Sequence, residues 1–296
     1  MATLEPALVP VPEKRAGSFT IGMRLLLANP LGLFGLVAVV LIVLSALFAP
    51  WLAPYDPTRI MVGPRLAPPS AEHWLGTDQI GRDVFSRVLV GGRIALQVAL
   101  ASIAAALTLG LALGLLAGFG PRWLDNLIML LFDTVRSFPV VIFGLAAVTV
   151  IGPSLATIIF IVVVTSIPTF GRVARTQTLA IRNNEFILAE EAMGASTLRI
   201  LGVHVLPNII GPLLILASMD IPVVITIEAG LSFLGVGVPP PAPSWGSILS
   251  DGFSFIRNTP WPVIAGGVPL ILTTLAFTFL GEALRDIFDP KLRRDV

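Results

Sequence analysis

Residues Ser137–Gly171, SFPVVIFGLAAVTVIGPSLATIIFIVVVTSIPTFG, contain no charged side chain. A membrane-spanning helix needs about 20 apolar residues, so this run is too long for one span. Gly152-Pro153, near its middle, is a typical turn signal. The stretch therefore predicts two membrane-spanning helices joined by a short turn. The first of them is short unless it extends back past Arg136 and Asp133.

Four more apolar segments flank this pair, and each is long enough to cross a bilayer. They are the uncharged runs Leu25–Tyr55 and Ile94–Pro121, a segment from near His204 to about Leu234, and Trp261–Leu280. The composition agrees, because 55% of the residues are hydrophobic and only 12% are charged, whereas soluble domains have about 25% charged residues. We predict an all-α polytopic membrane protein with six transmembrane helices.

The distribution of Lys and Arg predicts the orientation in the membrane. With a cytoplasmic N-terminus, 13 of the 19 basic residues lie on the cytoplasmic side. We therefore expect both termini in the cytoplasm. This topology divides the chain into a cytoplasmic tail (1–30), a first span with an extracytoplasmic segment (31–93), a five-helix core (94–284) with a cytoplasmic loop (171–204), and a second cytoplasmic tail (285–296).

A charged stretch separates the fourth and fifth apolar segments: Gly171–Pro207, GRVARTQTLAIRNNEFILAEEAMGASTLRILGVHVLP. Its four arginines and three glutamates need water or another protein around them. Asn183 or Asn184 is suited to cap a short helix through its side-chain oxygen. Gly194 is suited to end that helix in a left-handed conformation, and Ser196 or Thr197 to start the next one.

Within this short helix Phe186, Ala189 and Met193 recur at helical spacing and form a narrow apolar stripe. Such a helix suits insertion into a groove of a partner protein. It equally suits an interfacial position on lipid headgroups. The pattern by itself leaves both interpretations open.

Several kinds of active site are excluded by composition. A phosphate-binding loop needs a lysine followed by Ser or Thr in a glycine-rich loop, and neither Lys14 nor Lys291 has that setting. The chain has no cysteine. Its two histidines, His73 and His204, are predicted on opposite membrane sides, so they cannot share a metal ion. We expect no catalytic residue, no metal and no bound cofactor, and any ATP must be hydrolysed by another polypeptide.

Asp220 lies within an apolar segment, where a charge is costly and by default suggests a transport pathway. The alternative is a protonated or hydrogen-bonded residue that packs helices together beside Pro222. Glu228 lies eight residues further on and is predicted to orient the following LSFLG turn. His204 is interpreted as a residue at a helix start rather than as a proton carrier.

Asp78, Arg82, Asp83 and Arg87 have the spacing of two i to i+4 ion pairs, Asp78–Arg82 and Asp83–Arg87. We predict that they form a local salt-bridge network rather than bind a substrate.

Two further patterns concern packing and the membrane boundary. Gly110, Gly114 and Gly118 form a ridge of small residues that favours close helix packing, either within this subunit or against a partner. Four tryptophans are predicted near the outer membrane interface, as in an aromatic belt: Trp51, Trp74, Trp245 and Trp261.

The segment LAEEAMGASTLRILGVHVLPN, Leu188–Asn208, resembles the coupling motif of bacterial ABC importer permeases, E-A-A, three residues, Gly, nine residues, I-x-L-P. Leu188, Glu190 and His204 depart from that pattern. Leu188 stands where the motif has its Glu, so that carboxylate is missing, and Glu190 and Glu191 are the two candidates to replace it. The positions that match the motif at its spacing are Ala189, Gly194, Leu206 and Pro207.

Other segments resemble the dipeptide/oligopeptide/nickel branch of this family, in particular the permease subunit with an extra N-terminal region. They are NPLGLFGL (Asn29–Leu36), FAPWLAPYDP (Phe48–Pro57), HWLGTDQIGRDVFSRVLVGGRIAL (His73–Leu96), EAGLSFLGVGVPPPAPSWG (Glu228–Gly246) and GEALRDIFDPKLR (Gly281–Arg293). The last has Glu282 where the family usually has Asp.

This resemblance implies a type I ABC importer permease fold in the bacterial inner membrane. It implies a heterodimer with a second, homologous permease, two cytoplasmic ATPase subunits that hold ATP and Mg²⁺, and an extracytoplasmic solute-binding protein, with no nucleic acid. The ATPases would contact a coupling helix, Asn184–Gly194. The extracytoplasmic segments Asp56–Arg93 and Pro239–Trp261 would receive the binding protein.

The solutes that the resemblance implies are di- or oligopeptides, with nickel chelates or glutathione as alternatives of the same family. An ATP-independent secondary transporter or channel is the alternative of another class. That class often shows inverted repeats and buried ion-coupling groups. Only Asp220 lies near the centre of a span, and no repeat is evident.

Overall fold

The computed structural model describes residues 25–288 of the chain. Its tertiary structure is helical, and the only strand-like pairing in that range is an isolated bridge between Thr77 and Asp83. In chain order the helices are α1 (Pro30–Leu47), α2 (Ala49–Leu52), α3 (Val84–Phe119), α4 (Arg122–Arg136), α5 (Val140–Ile151), α6 (Leu155–Arg182), α7 (Glu185–Ala192), α8 (Thr197–Arg199), a π-helical segment (Ile200–Val205), α9 (Leu206–Phe233), α10 (Trp245–Ser254) and α11 (Trp261–Phe288).

Five stretches of the described chain are long and apolar enough to cross a membrane: α1, α3, α6, the continuous helix from α8 to α9, and α11. A sixth span is formed if α4 and α5 are counted together, although they meet at an angle of 89°. The prediction of six spans is confirmed with this bent pair as the third. The bend falls at Ser137–Pro139, because a proline disfavours helical geometry in the residue before it.

The predicted turn at Gly152-Pro153 is present. Helix α5 ends at Ile151, and Gly152 adopts a left-handed φ of 95°. Helix α6 then begins after Ser154, whose hydroxyl accepts a hydrogen bond from the backbone N–H of Thr157 at 3.0 Å. A glycine tolerates this φ because it has no Cβ.

Three helices are longer than the apolar runs that predicted them. Helix α3 begins at Val84, ten residues before Ile94, and α11 continues from Leu280 to Phe288. Helix α6 continues to Arg182, so residues 171–182 of the predicted cytoplasmic loop are helical. In α3 and α6 the charged extensions include arginines that pair with carboxylates on neighbouring elements: Arg87, Arg172 and Arg175.

Helices α3 and α6 are parallel neighbours, joined along the glycine ridge. A Cβ added to Gly110 would lie 2.7 Å from the Cβ of Phe170, and one added to Gly114 would lie 2.5 Å from both the Cβ of Ala174 and the carbonyl oxygen of Gly171. Gly118 meets Thr178 in the same way. The ridge therefore packs within this chain, and the question left open by the sequence is settled.

Helix α1 packs antiparallel against α11. Gly32 lies against Ala283, and Gly35 lies against the backbone of Leu280 and Ala276. The beginning of α1 and the end of α11 consequently lie at the same end of the helical bundle. The two tails beyond them, residues 1–24 and 289–296, lie outside the described residues.

Candidate functional site

Helix α7 is a short helix between the long helices α6 and α9, and its ends are well defined. Asn184 is its N-cap residue, but the side chain makes no capping hydrogen bond, so the predicted side-chain cap is wrong. Glu185 in the first turn instead interacts favourably with the helix dipole.

The end of α7 at Gly194 follows the sequence prediction. Gly194 has a φ of 80°. The N–H of Gly194 donates to the carbonyl of Glu191, and the N–H of Ala195 donates to the carbonyl of Glu190, each at 3.0 Å. This pair of bonds is the Schellman motif. Ser196 then caps the next helix by accepting from Arg199 N at 3.4 Å.

A single buried side chain anchors α7 on the bundle. Ile187 is fully buried (0% exposed) and is the only buried residue of the helix. The predicted stripe faces away from the bundle: Phe186 is 45% exposed, Met193 is 74% exposed, and Ala189 is also exposed. We call Phe186, Ala189 and Met193 the α7 face.

The two glutamates of α7 have different environments. Glu190 is partly buried, and its Oε1 lies 3.3 Å from His204 Nε2 on the π-helical segment. Glu191 is exposed. Of the two candidates for the missing motif carboxylate, Glu191 is the one available to a partner, because Glu190 already contacts this chain.

Leu206 and Pro207 begin α9 directly after the π-helical segment. Pro207 has no backbone N–H, and its ring disfavours a regular α-helical turn before it. The wider π turn accommodates the proline, and the Asn208 amide donates to the carbonyl of His204 at 2.6 Å. Leu206 is partly buried and Pro207 is exposed, so these two motif residues shape the start of α9.

Most arginines of the charged stretch are bound within the chain. Arg175 Nη2 donates to Asp125 Oδ2 at 2.6 Å, and Arg172 pairs with Asp133. Arg182 donates to the carbonyl of Gly118 at 3.3 Å, and its guanidinium lies over the ring of Phe119. Helix α4 is thereby fixed along α6. Arg199 is exposed.

A buried polar network lies at the other end of the bundle, where α3 begins. Asp78 pairs with Arg82 as predicted, but the predicted pair Asp83–Arg87 is wrong. Asp83 is the N-cap of α3, where Oδ2 accepts from Ser86 N at 2.8 Å, and its Oδ1 lies 2.9 Å from His73 Nδ1.

Arg87 turns instead towards Asp78 and Asp251, at 3.6 and 3.5 Å. Asp251 also accepts from Arg82 at 3.2 Å. Asp251 was not predicted from the sequence; its signal is a lone carboxylate in the otherwise uncharged helix α10. Arg82, Arg87 and Asp251 line a cavity of about 470 Å³ bounded by Pro239–Ala242.

Trp245 does not belong to an aromatic belt. It is 3% exposed and packs on Gly91 and Gly92, where its indole N–H donates to the carbonyl of Val88 at 2.9 Å. The other three tryptophans of the predicted belt are exposed: Trp51, Trp74 and Trp261.

Glu228 is completely buried, and its Oε1 accepts from the hydroxyl of Ser232 at 2.7 Å. That hydroxyl also accepts from the N–H of Val238. Glu228 therefore orients the turn after α9, as predicted.

Asp220 lines a second cavity, of about 250 Å³, beside the bend between α4 and α5. The other polar side chains of its lining are Arg136, Thr165, Ser166 and Thr169. Asp220 was predicted from the sequence, but these neighbours were not, because they come from two other helices, α4 and α6.

Two family models match the chain. Residues 110–294 match the binding-protein-dependent transport system inner membrane component. Residues 19–69 match the N-terminal transmembrane domain of oligopeptide transport permease C.

Curated relatives match along most of their length. The dipeptide transport system permease protein DppC of Alkalihalophilus pseudofirmus is 39% identical over 265 residues, covering 90% of this chain and 87% of that protein. The di/tripeptide permease DppC of Pseudomonas aeruginosa is 39% identical, covering 90% of this chain and 89% of that protein. The glutathione permease GsiD of Pectobacterium atrosepticum is also 39% identical, covering 86% and 85%.

Solved structures show the same fold at lower identity. The methionine ABC transporter MetNI in an inward-facing conformation superposes with a TM-score of 0.57 at 19% identity, covering 69% of this chain and 97% of that chain. An amino acid ABC transporter with histidines gives a TM-score of 0.53 at 14% identity, covering 71% of this chain and 94% of that chain. The chain thus has the ABC importer permease fold of a multi-pass protein in the bacterial inner membrane, and it belongs to the family of binding-protein-dependent transport system inner membrane components.

Proposed function

We propose that the chain is the permease subunit of an ATP-driven importer of small peptides. The names of its relatives support this substrate class, because dipeptides, tripeptides and glutathione are all short peptides. In the proposed assembly a second, homologous permease completes the pathway. Two ATPase subunits bind ATP with Mg²⁺ and hydrolyse it, and an extracytoplasmic binding protein delivers the peptide. This chain binds no cofactor and catalyses no reaction.

The α7 face is the proposed contact surface for the ATPase. Phe186 and Met193 are large, solvent-exposed apolar side chains on a helix whose only buried side chain is Ile187. Insertion of a short apolar helix face into a groove is a common mode of protein recognition. We infer that α7 inserts into a groove on the surface of the ATPase subunit. Glu191, exposed beside the face, is the proposed polar contact.

Docking has a geometric consequence. Helix α7 follows α6 after two residues and precedes the helix that continues into α9. A partner that moves α7 therefore acts on two membrane spans at once. This arrangement supports coupling of ATP binding to a change between inward- and outward-facing states.

The first test is Met193→Asp in the reconstituted transporter. A charge placed on the α7 face should abolish copurification of the ATPase and ATP-driven uptake of a dipeptide, since desolvating an unpaired carboxylate opposes docking. Met61→Asp is the matched control. Met61 is 70% exposed, lies near the other end of the bundle, and has a φ of 57° that aspartate tolerates.

Full copurification and uptake with Met193→Asp would exclude the α7 face as the docking site. Uptake driven by an ion gradient alone, with no ATPase bound, would instead favour the secondary transporter. That second candidate has one structural feature in its favour, the mid-span carboxylate of Asp220.

A further inference from the structure

The cavity beside Asp220 combines a charge with a membrane-spanning position. Asp220 is the fifteenth residue of the 28-residue helix α9, so its carboxylate lies near the middle of the span. An ionisable group at this depth is costly, and such groups usually serve a pathway or a relay.

No positive side chain among residues 25–288 pairs with this carboxylate, and its one polar neighbour within hydrogen-bonding reach is the hydroxyl of Ser166. No ion pair of residues 25–288 includes Asp220, and its Oδ2 is enclosed without a hydrogen-bond partner. The nearby hydroxyl of Thr165 donates to the carbonyl of Ile161 on its own helix. An enclosed acceptor of this kind favours a ligand that brings N–H or O–H donors.

A positive group lines the same cavity. Arg136 Nη1 donates to the hydroxyl of Thr169 on α6 at 3.1 Å, which holds the guanidinium at the wall. Arg136 and Asp220 both line the cavity but form no ion pair with each other. The cavity therefore has a negative and a positive side that are not joined.

A cavity with separated opposite charges selects among small solutes. A simple cation is repelled by Arg136, a simple anion is repelled by Asp220, and a neutral solute leaves both unpaired. A zwitterion with an ammonium at one end and a carboxylate at the other satisfies both. The volume of about 250 Å³ lies below the roughly 300–1,000 Å³ of sites that enclose drug-sized ligands, so the ligand is small.

We propose that this cavity binds the transported solute as a zwitterion, with the ammonium on Asp220 and the carboxylate towards Arg136. This assignment rests on the proposed function and narrows its substrate class to short peptides with free termini. Arginine suits the carboxylate end, because its planar guanidinium matches carboxylate geometry.

Cysteine protection tests this proposal without involving the binding protein. The chain has no cysteine, so Thr165→Cys introduces a single thiol into the cavity wall. Alkylation by N-ethylmaleimide is followed by the intact mass of this chain, within the assembled transporter in lipid nanodiscs. The protecting probes are dialanine, N-acetyl-dialanine and dialanine amide at millimolar concentrations.

Dialanine should slow alkylation about tenfold when its concentration is about ten times its Kd, because only the unliganded fraction reacts. The acetylated and amidated peptides should not protect. In the same background Asp220→Asn and Arg136→Gln should each remove protection by dialanine. Asp286→Asn is the matched control, because it removes one exposed carboxylate near the end of α11 and should leave protection unchanged.

Equal protection by dialanine and N-acetyl-dialanine would overturn the assignment, as would protection that survives Asp220→Asn. That second result would identify Asp220 as a packing residue beside Ser166. ATP-driven uptake of dialanine is measured separately on the parent transporter. If the parent transporter takes up dialanine but dialanine does not protect the introduced thiol, the cavity site is refuted and peptide transport is not. If dialanine protects the thiol but is not taken up, peptide transport is refuted and the cavity site is not.

Discussion

Ile187→Ala should release α7 from the bundle while leaving the rest of the fold intact. Ile187 is the only buried side chain of the eight-residue helix. Truncating a buried isoleucine to alanine costs about 2–5 kcal/mol. Because no other side chain of α7 is buried, most of this loss falls on local opening of the helix rather than on unfolding of the whole chain.

Hydrogen–deuterium exchange of the purified chain in nanodiscs measures this opening. A loss of about 2 kcal/mol raises the open population roughly 30-fold, since each 1.4 kcal/mol or so is a factor of ten. The amides of residues 188–193 should therefore exchange about 30-fold faster. Exchange in α3 and α6 should not change. In the assembled transporter the variant should hydrolyse ATP but take up less peptide per ATP.

Leu188→Ala is the matched control, because it removes a side chain of the same volume that is 52% exposed. It should leave exchange in α7 within a factor of about two, as expected of a surface substitution. If Ile187→Ala and Leu188→Ala gave the same exchange rates, Ile187 would not be the anchor of α7. Movement of α7 would then not be transmitted to the bundle through Ile187.

Two further substitutions test the packing and the polar network. Gly114→Val should prevent stable insertion, because a Cβ there would lie 2.5 Å from Ala174 and from the carbonyl of Gly171. Gly211→Ala should express normally, because nothing lies within 4 Å of the added Cβ. Comparable yields of the two variants by size-exclusion chromatography would contradict close packing at Gly114. Asp83→Asn should lower the free energy of unfolding by about 1–3 kcal/mol, since Asp83 both caps α3 and binds His73. Asp56→Asn, at an exposed turn, should change it by less than about 0.5 kcal/mol, and equal thermal shifts for the two variants would argue against the network.

Local signals predicted much of the fold. The uncharged runs, the turn at Gly152-Pro153 and the left-handed end at Gly194 were predictable because each depends on neighbouring residues alone. The Schellman bonds at Gly194 and the capping role of Ser196 follow from the same short-range chemistry. Helix extents were less predictable, since charged ends such as Arg172 and Arg175 stay helical only when another helix supplies Asp133 and Asp125.

Long-range partners limited the prediction of sites. The spacing of Asp83 and Arg87 suits an ion pair only if both lie inside a helix. Asp83 is instead the N-cap residue, which precedes the first turn of α3. The burial of Trp245 depends on Gly91 and Gly92, which lie more than 150 residues earlier in the sequence. Asp220 was recognisable alone, because a charge in an apolar run is unusual. Arg136, which lines the same cavity, was not.

The backbone contact between α3 and α6 bears on how the subunit can move. Where glycines let two helices touch main chain to main chain, neither can slide or rotate past the other without steric collision. Helix α6 is about 42 Å long at 1.5 Å per residue, and it leads directly into α7. The fused pair should behave as a stiff rod that tilts as a whole, so probes attached to α3 and α6 should keep a constant separation through a transport cycle while both change their distance to α9.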